Sequence, residues 1–281
     1  MKIFILLVLS SAMLFGCNDR KDEFQSRQSS ESVEKVQVAR SLQQKSDQDA
    51  MDIRRTLNQG AKPNRATSKQ GDMNNRPQAA GIQRKKLLDV PLIAQNPELK
   101  YGCEVTSLTM LIRYAGIKAD KMKLYREVPK DLDPVKKSKS GDITHWGNPR
   151  HGFVGDMTGR RMGYAVYDKP LEKLLRRYLG NRTLNLTGQP FDRLLDQVKS
   201  GRPVVVWTTG DYKLPDRWES WMHGNERIRT PLDLHAVVLV GYDANHVYLN
   251  DPLSVKKNVR VKKSTFIQSW RALGKQALSY Q

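Results

Sequence analysis

The sequence has few cysteines and few apolar residues. Two Cys among 281 residues exclude a disulfide-stapled scaffold and a four-Cys zinc site. Apolar residues make up 38% of the chain, below the roughly 45–50% usual for globular domains. The first apolar stretch spans about 13 residues, whereas a membrane-spanning helix needs about 20. We therefore do not expect a multi-span membrane protein.

Acidic side chains are scarce relative to basic ones. The chain has 48 Lys and Arg against 29 Asp and Glu, a net charge of +19. About two thirds of that excess belongs to residues 87–281. A basic surface suits anionic lipids, anionic wall polymers or acidic peptides as partners. No nucleic-acid-binding motif is present, so we do not expect nucleic acid as a partner.

The N-terminus has the pattern of a bacterial lipoprotein signal peptide over residues 1–16. Lys2 precedes the apolar stretch, which ends in Leu14-Phe15-Gly16-Cys17, and these four residues resemble a lipobox in which Phe15 is bulky for its place. The pattern predicts diacylglycerol on the Cys17 thiol and cleavage before Cys17. The mature chain would then be extracytoplasmic and lipid-anchored. A plain signal peptide with a coincidental Cys is the alternative.

The following segment, residues 17–86, is rich in Gln, Ser, Asn and charged residues, and Phe24 is its only aromatic residue. Such a segment buries too little apolar area to offset the entropy lost on ordering. We predict a disordered polar tether here and a folded domain over residues 87–281.

Apolar spacing in residues 87–281 indicates an α+β domain, because most helices come early and antiparallel strands come late. The predicted helices are residues 102–116, 170–179, 191–198 and 264–273. The predicted strands are a short one within 88–95 that leads into a loop, then 203–207, 235–242, 246–250, 255–262 and 276–280.

Cys103 is the candidate nucleophile. It follows Gly102 and begins the most apolar predicted helix, and it has no partner Cys if Cys17 is lipidated. A helix N-terminus lowers the pKa of a thiol and presents backbone N–H groups to a developing oxyanion. A buried, inert Cys is the ordinary alternative.

His235 is the candidate base, because it stands at the start of a strongly apolar strand, where a polar side chain is held rigidly and is expected to stay accessible. A hairpin would bring Asp251, at the end of the next strand, beside His235 to orient its ring. Asn250 would serve equally well, and the sequence does not decide between them. Gln95, eight residues before Cys103, is the candidate second oxyanion donor.

These residues resemble a known family. The segments Val90-Pro-Leu-Ile-Ala-Gln95, Gly102-Cys-Glu-Val-Thr-Ser-Leu108 and His235-Ala-Val-Val-Leu-Val-Gly-Tyr-Asp243 look like the stand-alone bacterial family-39-like (C39-like) cysteine peptidases of the papain superfamily. The resemblance implies a papain-like fold in which a Cys-bearing helix packs on an antiparallel sheet. It assigns the nucleophile to Cys103, the base to His235, the orienting residue to Asp251 and the oxyanion donor to Gln95.

The resemblance does not identify a substrate. Members fused to transporters trim leader peptides, but this chain has no transporter segment, and Glu104 stands where those enzymes often have Gly. We therefore expect a peptide or protein substrate of unknown sequence. A Cys-His peptidoglycan amidase or endopeptidase is an alternative, as is a binding module without turnover.

No cofactor or metal is expected from the sequence. Asp142, His145 and Asp156 match no familiar metal-site spacing. Residues 141–163 and 210–230 are predicted to be long irregular loops. Their tryptophans, Trp146, Trp218 and Trp221, would either line a substrate groove or cover the edge of the core.

Overall fold

The structure is a computed structural model that describes residues 85–281. The predicted signal peptide, Cys17 and all but the last two residues of the predicted tether lie outside the described residues.

Both helices and strands occur throughout this part of the chain. Their bounds, in chain order, are β1 Lys86–Leu87, α1 Cys103–Tyr114, α2 Lys121–Glu127, β2 Lys130–Asp131, β3 Lys136–Lys137, β4 Ile143–His145, β5 Phe153–Val154, α3 Asp168–Leu179, β6 Thr183–Asn185, α4 Phe191–Lys199, β7 Val204–Thr209, β8 Glu219–His223, β9 Glu226–Thr230, β10 Leu234–Tyr242, β11 His246–Asp251, β12 Lys256–Lys262, α5 Lys263–Ala272 and β13 Ala277–Tyr280.

The main sheet is antiparallel, with the strand order β12-β11-β10-β7-β13-β6, and β1 pairs with the far end of β10. Every residue of β7 and β10 is buried. A strand is buried along its whole length only when both of its faces are covered. Helices α1, α4 and α5 supply that cover, because all three pack on these central strands. The α+β class predicted from the sequence is confirmed.

Helix α1 is held against β10 near the candidate base. Residues 103–112 are all buried, and the hydroxyl of Ser107 donates to the Ala236 carbonyl at 3.0 Å. Gly102 precedes the helix, and a Cβ there would lie 2.5 Å from the Leu99 side chain. Only glycine therefore lets the preceding loop pack this closely on the start of α1.

A smaller sheet has the order β3-β4-β8-β9, and β2 and β5 form a separate parallel pair. The prediction of two irregular loops was therefore wrong in part, because residues 143–145, 219–223 and 226–230 are strands. Trp146 and Trp221 are buried against each other with ring centroids 5.5 Å apart. They form the core of this sheet, whereas Trp218 is half-buried beneath the Arg229 guanidinium.

Two further predictions were wrong at the element level. Residues 88–95 form no strand, because pairing with β10 ends at Leu87. Helix α2 was not predicted, although the Asp120 carboxylate caps it by accepting from the backbone N–H groups of Met122 and Lys123. No helix within residues 85–281 combines the length and the apolar character that crossing a membrane requires.

Candidate active site

The structure brings the candidate base and its orienting residue together. His235 is the second residue of β10 and Asp251 is the last residue of β11. The imidazole Nε2 lies 2.7 Å from the Asp251 Oδ1, and both side chains are buried. This short contact is a charge-assisted hydrogen bond inside the protein, where such bonds are strong.

Asn250, the alternative left open by the sequence, faces away from His235. Asn250 lies opposite Val238 in the β10–β11 pairing, and side chains three positions apart on a strand point to opposite faces. Its amide instead donates to the Val90 carbonyl and accepts from the Asn258 N–H. The imidazole is therefore oriented by Asp251 in this structure.

Three further donors hold the Asp251 carboxylate. Oδ2 accepts from the Tyr212 hydroxyl at 2.8 Å and the Ser254 hydroxyl at 2.6 Å, and Oδ1 accepts from the Leu253 N–H at 2.9 Å. Burial raises the pKa of Asp251, but the hydrogen bond and charge of His235 and these donors outweigh it, so the pKa lies well below its usual range.

Sequence reasoning missed both hydroxyls. Ser254 stands three residues after Asp251 in an Asp-Pro-Leu-Ser turn, and an aspartate that accepts from residues two and three positions ahead is ordinary turn chemistry. That signal was available. Tyr212 is remote in sequence, on the loop after β7, and no local sequence pattern predicts that its hydroxyl binds Asp251.

Cys103 is the first residue of α1, as predicted, and its side chain is buried. The thiol donates to the Glu104 Oε2 at 3.3 Å, and one turn further along the same helix the Ser107 hydroxyl donates to the Ala236 carbonyl. Ala236 directly follows His235, so the first turns of α1 pack on the part of β10 that carries the candidate base.

The electrostatics at Cys103 differ from the prediction. Burial, followed by the neighbouring Glu104 charge, raises the pKa of the Cys103 thiol well above its usual range, whereas the helix N-terminus predicted a lowered value. Burial also raises the pKa of Glu104 to about 7. Two adjacent buried acids resist ionising together, and no residue pattern predicts that the Glu104 side chain is buried.

Gln95 is buried on the loop that leads to α1. Its Nε2 donates to the Lys100 carbonyl at 2.8 Å, and its backbone N–H donates to the Pro252 carbonyl at 3.0 Å. Its Oε1 has no hydrogen-bond partner among residues 85–281. The loop is thus tied both to the residue after Asp251 and to the approach to Cys103.

The residues considered from the sequence as metal ligands do not come together. Asp142 binds the hydroxyls of Ser138 and Ser140, and Asp156 accepts from Thr158. Within the described part of the chain, the one cluster of three potential ligands is a different set, Asp131, His151 and His223.

Comparison with known proteins agrees with this architecture. The Peptidase_C39 like family matches residues 87–278. The "Uncharacterized protein YvpB" of Bacillus subtilis (strain 168) is 36% identical over 198 residues, which cover 70% of this chain and 76% of that protein. A solved structure described as a "putative C39-like peptidase" from Bacillus anthracis is 42% identical, with a TM-score of 0.65, over 70% of this chain and 98% of that one. The chain therefore belongs to the Peptidase_C39 like family and has the α+β fold of a C39-like peptidase.

Proposed function

We propose that the protein is a cysteine peptidase in which Cys103 attacks the peptide carbonyl, His235 exchanges the proton and Asp251 orients His235. The observation that carries this proposal is the buried 2.7 Å hydrogen bond between His235 and Asp251, on the strand against which the Cys103-bearing helix α1 packs. A nucleophile, a base and a third group that orients the base are the arrangement that nucleophilic catalysis requires.

The hydrogen bond from His235 to Asp251 decides which ring nitrogen of His235 can exchange a proton with the thiol. Asp251 holds Nε2, so Nδ1 is the nitrogen that remains to take the thiol proton. The Cys103 thiolate then forms a C–S bond, the C–N bond breaks, and His235 returns its proton to the leaving amine. Water hydrolyses the thioester in a second step, in which His235 takes one proton from the water and returns it to the sulfur.

The tetrahedral oxyanion needs donors on the far side of the carbonyl. The Cys103 backbone N–H at the start of α1 is one donor, and we assign the Gln95 amide as the second. The Nε2 of Gln95 has two hydrogens, of which the Lys100 carbonyl takes one. Loss of one oxyanion donor typically costs about 2.7–4 kcal/mol in transition-state stabilisation.

The central test is hydrolysis of a broad peptide library by the full chain and by Cys103→Ala. We expect cleavage by the wild type and none by the variant. The thiol donates one hydrogen bond, to Glu104, and its loss should leave the variant folded, which thermal unfolding would verify. A folded Cys103→Ala variant that still cleaves peptides would end the peptidase proposal. An inactive wild type would favour a binding module.

A peptidoglycan stem peptide is the second candidate substrate. The basic excess of residues 87–281 suits an anionic wall polymer. Loss of turbidity of purified cell walls that depends on Cys103 would identify a wall hydrolase, and library cleavage without loss of turbidity would identify a peptidase of proteins.

We also propose that a lipid on Cys17 anchors the enzyme outside the cytoplasm. The support is the sequence Leu14-Phe15-Gly16-Cys17 after a short apolar stretch. Labelling of cells with a radioactive fatty acid should mark the wild type and leave Cys17→Ser unlabelled. Equal labelling of both would contradict the anchor.

A further inference from the structure

Outside the candidate catalytic residues, two imidazoles and a carboxylate come together between the smaller sheet (β3-β4-β8-β9) and the β2–β5 pair. Asp131 ends β2, His151 lies in the turn before β5, and His223 ends β8. One ligand atom from each lies within 4.8 Å of the others. We propose that these three side chains bind one Zn²⁺ ion.

The separations fit a metal better than hydrogen bonds. The Asp131 Oδ2 lies 3.8 Å from the His151 Nδ1 and 3.7 Å from the His223 Nε2. A hydrogen bond between nitrogen and oxygen spans about 2.7–3.2 Å, so both contacts are too long. Ligands on tetrahedral zinc, with bonds of about 2.0–2.2 Å, lie about 3.3 Å apart. A shift of a few tenths of an ångström in each ring would bring both nitrogens to that spacing from the Asp131 Oδ2.

The other ring nitrogen of His223 faces acceptors, as the second nitrogen of a metal-bound histidine usually does. Its Nδ1 lies 3.3 Å from the Trp146 carbonyl and 3.3 Å from the Asp133 Oδ2. Both partners are acceptors, so the tautomer of the neutral imidazole that suits them has its proton on Nδ1 and its lone pair on Nε2, which faces Asp131. Metal-bound histidines commonly donate their second N–H to a carboxylate or carbonyl in this way.

Asp131 is fixed in place by the backbone. Its Oδ1 accepts from the Asp133 N–H at 3.1 Å and its Oδ2 from the Asn148 N–H at 3.1 Å. A Cβ at Gly147 would lie 2.9 Å from the Oδ1, so glycine lets the chain approach the carboxylate. Oδ2 keeps a lone pair for the ion, and the two amides hold the carboxylate ready before an ion arrives.

The ligand types favour zinc over the hard cations. Two imidazoles and one carboxylate are common zinc ligands, whereas Ca²⁺ and Mg²⁺ prefer oxygen ligands alone. Three protein ligands leave a fourth position for water. The side chain of His151 is 60% exposed, and a cavity of about 260 Å³ lined in part by Asp133 and Trp146 reaches the neighbouring residues, so an ion can enter from solvent.

Binding would join three segments that are distant along the chain, 131, 151 and 223. The ion would therefore act as a cross-link between β2, the turn before β5 and β8. None of these residues belongs to the candidate catalytic set, so the inference stands whether or not the peptidase proposal does.

The test is titration of the metal-free full chain with ZnCl₂ by calorimetry, in a Cys17→Ser, Cys103→Ser background so that no thiol competes. We expect one Zn²⁺ per chain, and at least a 10-fold loss of affinity in His151→Ala and in His223→Ala. At free zinc near 100 times the Kd, the melting temperature should rise by about 5–10 °C.

His246→Ala is the matched control. His246 also faces an aspartate, with its Nδ1 3.1 Å from the Asp243 Oδ1, but it belongs to no three-ligand cluster among residues 85–281, so zinc affinity should not change. His151→Ala, at an exposed position, keeps the test valid if Asp131→Asn fails to fold. Absence of zinc binding, or binding that both histidine variants retain, would overturn the proposal and leave simple ion pairs of protonated histidines with Asp131.

Discussion

Substitution of Asp251 offers a direct test of the candidate site. Its carboxylate accepts hydrogen bonds from His235, Tyr212, Ser254 and the Leu253 N–H, and its pKa lies well below the ordinary range. It is therefore a carboxylate throughout the neutral pH range. A fixed negative charge beside the imidazole favours the imidazolium form.

We expect Asp251→Ala to lower turnover about 10- to 100-fold, the usual worth of a hydrogen bond to a charged group. The alkaline limb of the pH–rate profile should move to lower pH, because the imidazolium loses a nearby negative charge. Asp251→Asn keeps an acceptor for the ring and should retain more activity than Asp251→Ala. Identical pH profiles for the wild type and both variants would remove Asp251 from the mechanism.

Tyr212→Phe should move the alkaline limb of the pH–rate profile to higher pH. Without the Tyr212 hydroxyl, more of the Asp251 charge acts on His235, and the imidazolium persists to higher pH. Tyr178→Phe is the matched control, since its hydroxyl bonds the Glu127 carboxylate at 2.8 Å, far from Asp251 in sequence. A Tyr212→Phe profile that superimposes on that of the control would limit Tyr212 to packing.

Glu104→Gln should lower the pKa of the Cys103 thiol. Burial and then the Glu104 charge raise that pKa, and a neutral amide removes the second cause. The rate at which iodoacetamide alkylates Cys103, measured against pH in a Cys17→Ser background with Glu127→Gln as the control, reports the shift. Superimposable alkylation profiles for Glu104→Gln and the parent chain would show that Glu104 does not govern thiol ionisation.

The same substitution should change how stability depends on pH. The folded state raises the pKa of Glu104 from 4.5 to about 7, so it keeps a proton that the unfolded chain releases between these values. The free energy of unfolding should therefore fall as pH rises from 4.5 to 7, by about 3 kcal/mol. Urea unfolding at pH 4 and pH 8 should show this loss in the wild type and a smaller one in Glu104→Gln.

At the candidate site, the sequence identified the residue types better than their orientations. The hairpin placed His235 beside residues 250–251, but strand alternation did not separate Asp251 from Asn250. The reason is a β-bulge, because the β10–β11 register shifts between Leu239 and Gly241. A one-residue shift exchanges the faces of every side chain beyond it, and no residue pattern in the hairpin reveals it.

At the scale of elements, apolar spacing predicted what faces the main core. Helix α4 was predicted over 191–198 and ends one residue later, with Phe191, Leu194, Leu195 and Val198 all buried. The short strands of the small sheet were missed. Strand β3 is two exposed lysines, and β9 buries only Ile228 and Thr230. Such strands are held by pairing and by the Trp146–Trp221 contact, which local sequence does not encode.

Gly241 of β10 pairs with Leu87 of β1. A Cβ at Gly241 would lie 2.6 Å from the Lys86 carbonyl oxygen, and backbone cannot yield as a side chain can. Gly241→Val should therefore lower the free energy of unfolding by about 1–3 kcal/mol, the usual cost of overpacking. Gly210→Ala is the control, since its nearest neighbour lies at 4.0 Å. Equal stability of the two variants in urea would mean that β1 does not pack on Gly241.

At the scale of the whole molecule, the described part of the chain begins with residues that pair with the main sheet. Lys86 and Leu87 pair with Tyr242 and Gly241, and the Leu88 N–H donates to the Val240 carbonyl at 2.8 Å. Leu88 is buried in the core. The first residues of the described chain thus close an edge of β10, the strand that also carries His235.

A chain that starts at Lys85 should fold by itself and melt at the same temperature as one that starts at Asn18, because β1 and Leu88 are retained. A chain that starts at Asp89 loses both. Burial of a leucine side chain contributes about 2 kcal/mol, and 1 kcal/mol shifts the melting temperature of a domain of this size by about 2–4 °C. The shortest chain should therefore melt about 4–8 °C lower than the chain from Lys85.

Thermal unfolding of the three chains, followed by circular dichroism, measures these differences. A chain from Lys85 that melts well below the chain from Asn18 would show that residues before 85 stabilise the domain, and an unchanged melting temperature for the chain from Asp89 would show that β1 contributes nothing to it.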